Sequence, residues 1–322
     1  MTAFIRLACA VVLALMAALA APAMAQVWPQ RTVKFILPLG PGSGADIGAR
    51  LLADLLQKTW GQSVVVENRP GGDAIVAIQA FIGANDDHTL LFSPTSAFIG
   101  HPYSHSKMPY DASALIPLAR VSTTLVSIVV PAAMKVATMA EFAARARAEP
   151  GKLNWVSTTG LNDVLFESYL KANDLNLARV PYRDFVQGLN DVAENRVHVY
   201  FAAYAIARPQ VEAGKVTVLA LANTTRTDML PGVPTVREAG FPQLEIDGLV
   251  GLFAPPVLPV GLHGKIAADV NAATRDPLVS SRLTATGQVV NPGTPAEFAA
   301  AIEQQRGFAE RAAAILGLKR AN

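Results

Sequence analysis

"FILPLGPGSGADIGARLL", residues 35–52, decides how the rest of the chain is read. An apolar β-prone run ends at Leu37 and a turn with Gly40, Gly42 and Gly44 follows. Ile47, Leu51, Leu52, Leu55 and Leu56 then recur at helical spacing. Gly40, Gly42 and Ala45 fit the G-x-G-x-x-G/A spacing of a dinucleotide-binding turn, and Glu67 stands near the place of the ribose-binding acid. Two features weigh against a nucleotide. Asp46 brings a carboxylate into the first helical turn, where it competes with pyrophosphate for the same amides and dipole. The chain also opens with an export signal, which removes it from the nicotinamide pool. Plain anion capture remains: amides at a helix N-terminus hold a carboxylate or phosphate without a cationic side chain.

Outward from this stretch, short β-rich runs alternate with helical patterns, the signature of an α/β protein with largely parallel sheets. Strands are predicted over 32–37, 63–67 and 89–93, with helices over 45–60 and 73–83, making a doubly wound βαβαβ unit. Residues 100–114 read as an irregular loop. A second series places strands at 125–131, 153–156, 177–181, 197–201 and 216–221 with helices between them, the first capped by Thr138 and Glu141. Thr235 and Glu238 predict a further short helix, 248–255 a strand, and two helices follow. Thr294-Pro295-Ala296-Glu297 opens the second of these.

Residues 1–25 read as a secretory signal peptide: Arg6, an apolar run from Leu7 to Leu19, and Ala23-Met24-Ala25 before Gln26. The apolar core is short for a membrane span, and Pro22 interrupts it. Cys9, the only cysteine, precedes most of that run and so does not serve as a lipidation site. The exported chain therefore relies on a large core and uses no disulfides. The formal net charge of +2 comes with no basic stripe for nucleic acid. A soluble, periplasmic monomer is expected.

Other polar turns follow strands at Asn68–Gly72, Ser93–Ser96 and Ser157–Gly160, at the carboxyl ends where open α/β sheets place ligands. For any one of them, tight turning alone explains the glycines; facing one another across a gap they would form a clamp. Arg183, after Val180-Pro181-Tyr182, suits bidentate capture of a carboxylate or a surface ion pair with Asp184 or Asp191. Trp155 reads as core. An exported hydrolase would use Ser43 as nucleophile, but glycines flank it directly instead of in G-x-S-x-G spacing. None of His88, His101, His105, His198 and His263 follows a clear strand-end pattern. His101 and His105 read as solvated loop histidines, with no metal site.

The motifs "WPQRTVKFILPLGPGSGADIGARLL", "GQSVVVENRPGG", "DDHTLLFSP", "MPYD", "PGKLNWVSTTG", "VPYRD", "AGKVTVLAL", "PGVPTVREAGFP" and "GLFAPPVLP" stand in an order and spacing that resemble one family across essentially the whole exported chain. It is that of the extracytoplasmic solute receptors of tripartite tricarboxylate transporters, the Bordetella uptake gene receptors. The resemblance implies a type II periplasmic-binding-protein fold, with two α/β lobes around a ligand cleft. One lobe would comprise 26–122 and 249–322, the other 123–248. It implies capture of a small dicarboxylate or aromatic carboxylate for a membrane transporter, without catalysis or cofactor. Carried over by motif, the ligand residues are Leu39, Gly40, Pro41, Gly42, Ser43, Gly44 and Asp46, then Gly71, Gly72 and Ser93, then Ser157, Thr158, Thr159, Tyr182 and Arg183. Departures from the family pattern cluster around these positions. Gly40-Pro41-Gly42-Ser43 replaces P-P-G-G, the Ser157 loop is one residue short, Asp73 stands where glycine is usual, and Ala202 replaces a common aspartate. A sensor presenting its ligand to a membrane histidine kinase is the other non-enzymatic expectation.

Overall fold

The computed structural model describes residues 28–158, 160–182 and 185–321. The expected signal peptide, Thr159 and Arg183 lie outside the described residues. Two mixed sheets form. The first contains β1 (Val33–Leu37), β2 (Val64–Asn68), β3 (Thr89–Pro94), β4 (Ile116–Thr124), β10 (Gly248–Ala254) and β11 (Gln288–Gly293), in the order β11-β4-β10-β3-β1-β2. The second contains β5 (Val126–Pro131), β6 (Asn154–Ser157), β7 (Ala178–Arg179), β8 (Val199–Ala203) and β9 (Val216–Leu221), in the order β7-β6-β8-β5-β9.

The opening stretch folds as read. β1 pairs in parallel with β2 and β3, and α1 (Gly44–Trp60) and α2 (Ile75–Ala84) complete the βαβαβ unit. β10 then joins antiparallel between β3 and β4. In the second lobe α5 (Met139–Ala148), α6 (Leu161–Ala172), α7 (Phe185–Ala193) and α8 (Tyr204–Glu212) flank the sheet. The Thr138 hydroxyl accepts the Glu141 N–H at 3.1 Å, as its capping motif requires.

Four readings need correction. β4 and β11 were not anticipated, and three C-terminal helices form where two were expected: α9 (Val260–Thr274), α10 (Pro277–Ala285) and α11 (Pro295–Leu316). Thr235 and Glu238 exchange their capping hydrogen bonds, yet only a turn results, because the chain reverses at Gly240 (φ +89°) before a helix can extend. The segment read as loop, residues 100–114, holds a single-turn helix, α4 (His101–Ser104), and a 3₁₀ turn at Ala112–Ala114; another single-turn helix, α3 (Ser96–Ile99), precedes it.

Two apolar layers enclose the first sheet. On one face α1 and α9 pack over Phe35, Leu90, Phe92 and Leu252. On the other, a single cluster runs from Ile36, Leu91, Phe253, Phe298 and Ile302 into Ile128, Trp155, Phe166 and Tyr169 of the second lobe. α11 packs on both β4 and α6, so the lobes share a spine on this side. Leu125 is the single residue between β4 and β5. Its N–H donates to Gly287 O at 3.2 Å and its carbonyl accepts from Tyr204 N–H at 2.7 Å. Buried Asn223 accepts from Val126 N–H at 2.8 Å and donates to Thr124 O at 3.1 Å, tying the two crossing segments together. Gln305 of α11 donates to Asp247 O and accepts from the Thr95 hydroxyl at 2.5 Å. Both described chain ends belong to the first lobe: Trp28 stacks edge-on against Trp60 at 5.0 Å, and Ala321 N–H donates to Pro102 O at 2.6 Å. Among the described residues no helix is long and apolar enough to cross a membrane.

Candidate ligand cleft

The carboxyl ends of β1 and β3 face those of β6 and β8 across the crossing segments. Gln288, 2% exposed, donates to Gly44 O at 2.8 Å, and its neighbour Gly287 lies against Ala205 at the start of α8. The N-termini of α1 and α8 are thereby neighbours. On the spine side, a Cβ on Gly160 would sit 2.6 Å from Ser96 O, so the loop after β6 touches α3.

The first turn is built by Asp46. Its carboxylate, 3% exposed as a residue, accepts the Gly42 N–H at 2.9 Å, Arg50 Nε at 3.1 Å and Asn68 Nδ2 at 2.8 Å. Asn68 also donates to Leu39 O at 2.9 Å. Burial on its own would raise the Asp46 carboxyl, but the hydrogen bonds from Arg50, Gly42 and Asn68 outweigh it and hold the group below the usual range. Asp46 thus acts from beneath the turn and consumes the Gly42 amide. The Ser43 hydroxyl caps α1, accepting Asp46 N–H at 3.2 Å. The Gly44 and Ala45 amides, first in the helix, have no partner among the described residues. Pro41 and Gly42 are exposed beside them, and Leu39, Gly40, Ser43 and Gly44 are half-buried.

Gly71, Gly72, Asp73 and Ala74 all have positive φ, at +108°, +58°, +53° and +69°. Two non-glycine residues in that region store strain. The bend is held by His101, whose Nε2 lies 2.8 Å from Asp73 O and whose Nδ1 lies 2.7 Å from the Tyr110 hydroxyl. His101 is fully buried, which corrects its reading as a solvated loop residue; Pro102 fits because it occupies the first turn of α4.

The serines at the strand ends turn onto the protein. Ser93, fully buried, donates to Pro94 O at 2.9 Å. Ser157 donates to Asp163 Oδ1, and Arg179 donates to Asp163 Oδ2 while lying 5.7 Å from the Trp155 ring centre. Burial pushes the Asp163 carboxyl up to about 6; the Ser157 hydrogen bond and the Arg179 charge oppose this, and Glu167 and Asp73 add to it. Thr158 accepts from Asn162 Nδ2 at 2.6 Å. Tyr182 donates to Asp191 Oδ2 at 2.5 Å, and its ring lies over Gly188. Burial, followed by Asp191, raises the phenol to about 12. Arg196 also binds Asp191.

Asp163 and Arg179, which join Ser157 in one network, are the members of this candidate site that sequence reading missed. An acid in a first helical turn is ordinary helix chemistry, and no local signal set Asp163 apart. The described residues supply open amides on one lobe, and on the other a hydroxyl and carboxylate network with two arginines, Arg179 and Arg196. Among the described residues no histidine is hydrogen-bonded to Ser43, whose hydroxyl instead caps α1.

The model of the tripartite tricarboxylate transporter family receptor matches residues 48–307. The chain is 29% identical over 292 residues to a UPF0065 protein of Bordetella bronchiseptica, covering 90% of this chain and 87% of that one. Among solved structures it is similar to a periplasmic transporter, with TM-score 0.80 and 28% identity over 91% of this chain and 99% of the other. It is also similar to MatC from Rhodopseudomonas palustris with bound malate, with TM-score 0.76 and 25% identity over 88% and 99%.

Proposed function

Because the chain belongs to the tripartite tricarboxylate transporter receptor family, and is a periplasmic solute receptor rather than an enzyme, we propose that its lobes close on a small dicarboxylate or aromatic carboxylate and present it to membrane subunits. The observation that carries this reading is the pair of unpartnered amides, Gly44 and Ala45, at the start of a 17-residue helix facing the second lobe. Helix-start amides favour an anion through both hydrogen bonding and the dipole. Malate in MatC supports a short dicarboxylate. The lobes are 26–122 with 249–322, and 123–248, turning about Leu125 and the Asn223 cluster. The leader is cleaved after residue 25, the protein is monomeric, and its encounter with the membrane subunits is transient. A micromolar Kd corresponds to about −8 kcal/mol, within reach of a few charge-assisted hydrogen bonds in a closed cleft.

Native mass spectrometry of the purified protein should find a co-purifying acid. Mono-, di- and aromatic acids should raise the melting temperature and alter the Trp155 fluorescence without being consumed. A full panel that does neither, with no acid co-purifying, would overturn the reading. Arg183→Ala should weaken binding by about 2–5 kcal/mol, the cost of removing a cation paired with a buried charge.

A further inference from the structure

A cavity lies away from the cleft turns, between α11 and residues of β4, β10 and β11. Its volume is about 100 Å³, and Arg120, Asp247, Leu249, Ala301, Gln304 and Phe308 are in its wall. A single water requires roughly 10–15 Å³ measured this way, so the space takes a molecule of several heavy atoms. Arg120 is the cation of this wall. Its Nε donates to Asn291 O at 2.7 Å, and its Nη atoms lie over Gly293, where a Cβ would approach to 3.2 Å. No carboxylate stands within ion-pair distance of it among the described residues. A half-buried guanidinium keeping free N–H donors beside a cavity suits a carboxylate. The acid in the wall, Asp247, is already occupied: Oδ1 accepts from Thr224 N–H at 3.1 Å and Asn223 Nδ2 at 3.3 Å, and Oδ2 from the Thr224 hydroxyl at 2.8 Å. Leu249, Ala301 and Phe308 supply an apolar end.

We propose that this cavity is a second binding site, for a small monocarboxylate with a short apolar tail, the carboxylate on Arg120 and the tail against Ala301 and Phe308. It shares no residue with the cleft turns, so it stands whether or not the cleft takes an acid. Sodium propionate titrated into the full exported chain should move amide signals of Thr123, Asn291 and Gln304–Phe308 in ¹H–¹⁵N spectra. Propionamide, of the same shape and uncharged, should not. Arg120→Met should weaken the propionate response at these residues at least about tenfold, given the strength of charge-assisted hydrogen bonds. Ala301→Phe, which fills the space and keeps the charge, should abolish it. Shifts confined to residues 39–46 and 157–163, an equal response to propionamide, or an undiminished response in Ala301→Phe would overturn the proposal.

Discussion

Asp46 and Asp163 are both sheltered carboxylates, and their surroundings push them in opposite directions. Because the folded-state pKa of Asp46 is depressed, its contribution to stability is fully present at neutral pH and is lost as pH falls below about 4 through the folded value. Asp46→Asn should lower unfolding free energy by about 1–3 kcal/mol at pH 7, with the gap from wild type closing below pH 4, as read from urea melts. Asp163 is raised to about 6, so it is uncharged at pH 5 and anionic at pH 7.5. For a carboxylate ligand beside Ser157 the sign follows: affinity should fall by about threefold to tenfold as pH rises through 6, and Asp163→Asn should flatten the profile. Calorimetric titration from pH 5 to 7.5 checks both. At this scale, legibility depended on whether a residue's partner is local. Asp46 was readable as an acid in the first helical turn, whereas the capping role of Ser43 was not read. His101 was not, because Tyr110 and the Asp73 carbonyl reach it only through the fold.

Elements whose caps and periodicity are local were readable too: α1 after its glycine turn, α5 behind Thr138, and α11 behind Thr294. In the last, the Thr294 hydroxyl accepts Glu297 N–H at 3.2 Å and Glu297 accepts Thr294 N–H at 2.8 Å. β4 escaped because Pro117, Arg120, Ser122, Thr123 and Thr124 give it the look of a loop. Tertiary contacts answer those polar groups: Ser122 donates to Gln288 and Thr123 to Asn291. β11 was hidden by Asn291-Pro292-Gly293, a turn signature that here sits at a register shift against β4. Gly160 shows why one loop element tolerates no change. It has φ +83° and presses on Ser96 O, whereas Gly61 has φ +67° with open space around it. Gly61→Ala should cost about 1 kcal/mol, the penalty of a left-handed residue alone. Gly160→Ala should cost roughly 2–4 kcal/mol, since a backbone must also move. Urea denaturation of the two variants side by side measures the difference.

The two series of alternating elements were legible, and the return of the chain end to the first lobe came with the family resemblance, but the spine shared by the lobes came with neither. The spine rests on contacts between residues far apart in sequence, such as Phe298 with Phe253 at 5.2 Å and α11 with α6. One apolar cluster serving both lobes should make heat unfolding a single calorimetric transition, with calorimetric and van't Hoff enthalpies equal. Saturation of the cleft at about a hundred times Kd should stabilise that one transition by about 2.7 kcal/mol, and separate peaks for the lobes would contradict the shared core. The placement of the chain ends has a practical consequence. Trp28 and Ala321 are both anchored on the same lobe. A molecule tethered to a surface beside Trp28 is held by that lobe, and under the proposed closure the other lobe carries the movement. With a dye on the second lobe, the proposed closure of the tethered protein would be read optically as displacement against a fixed base.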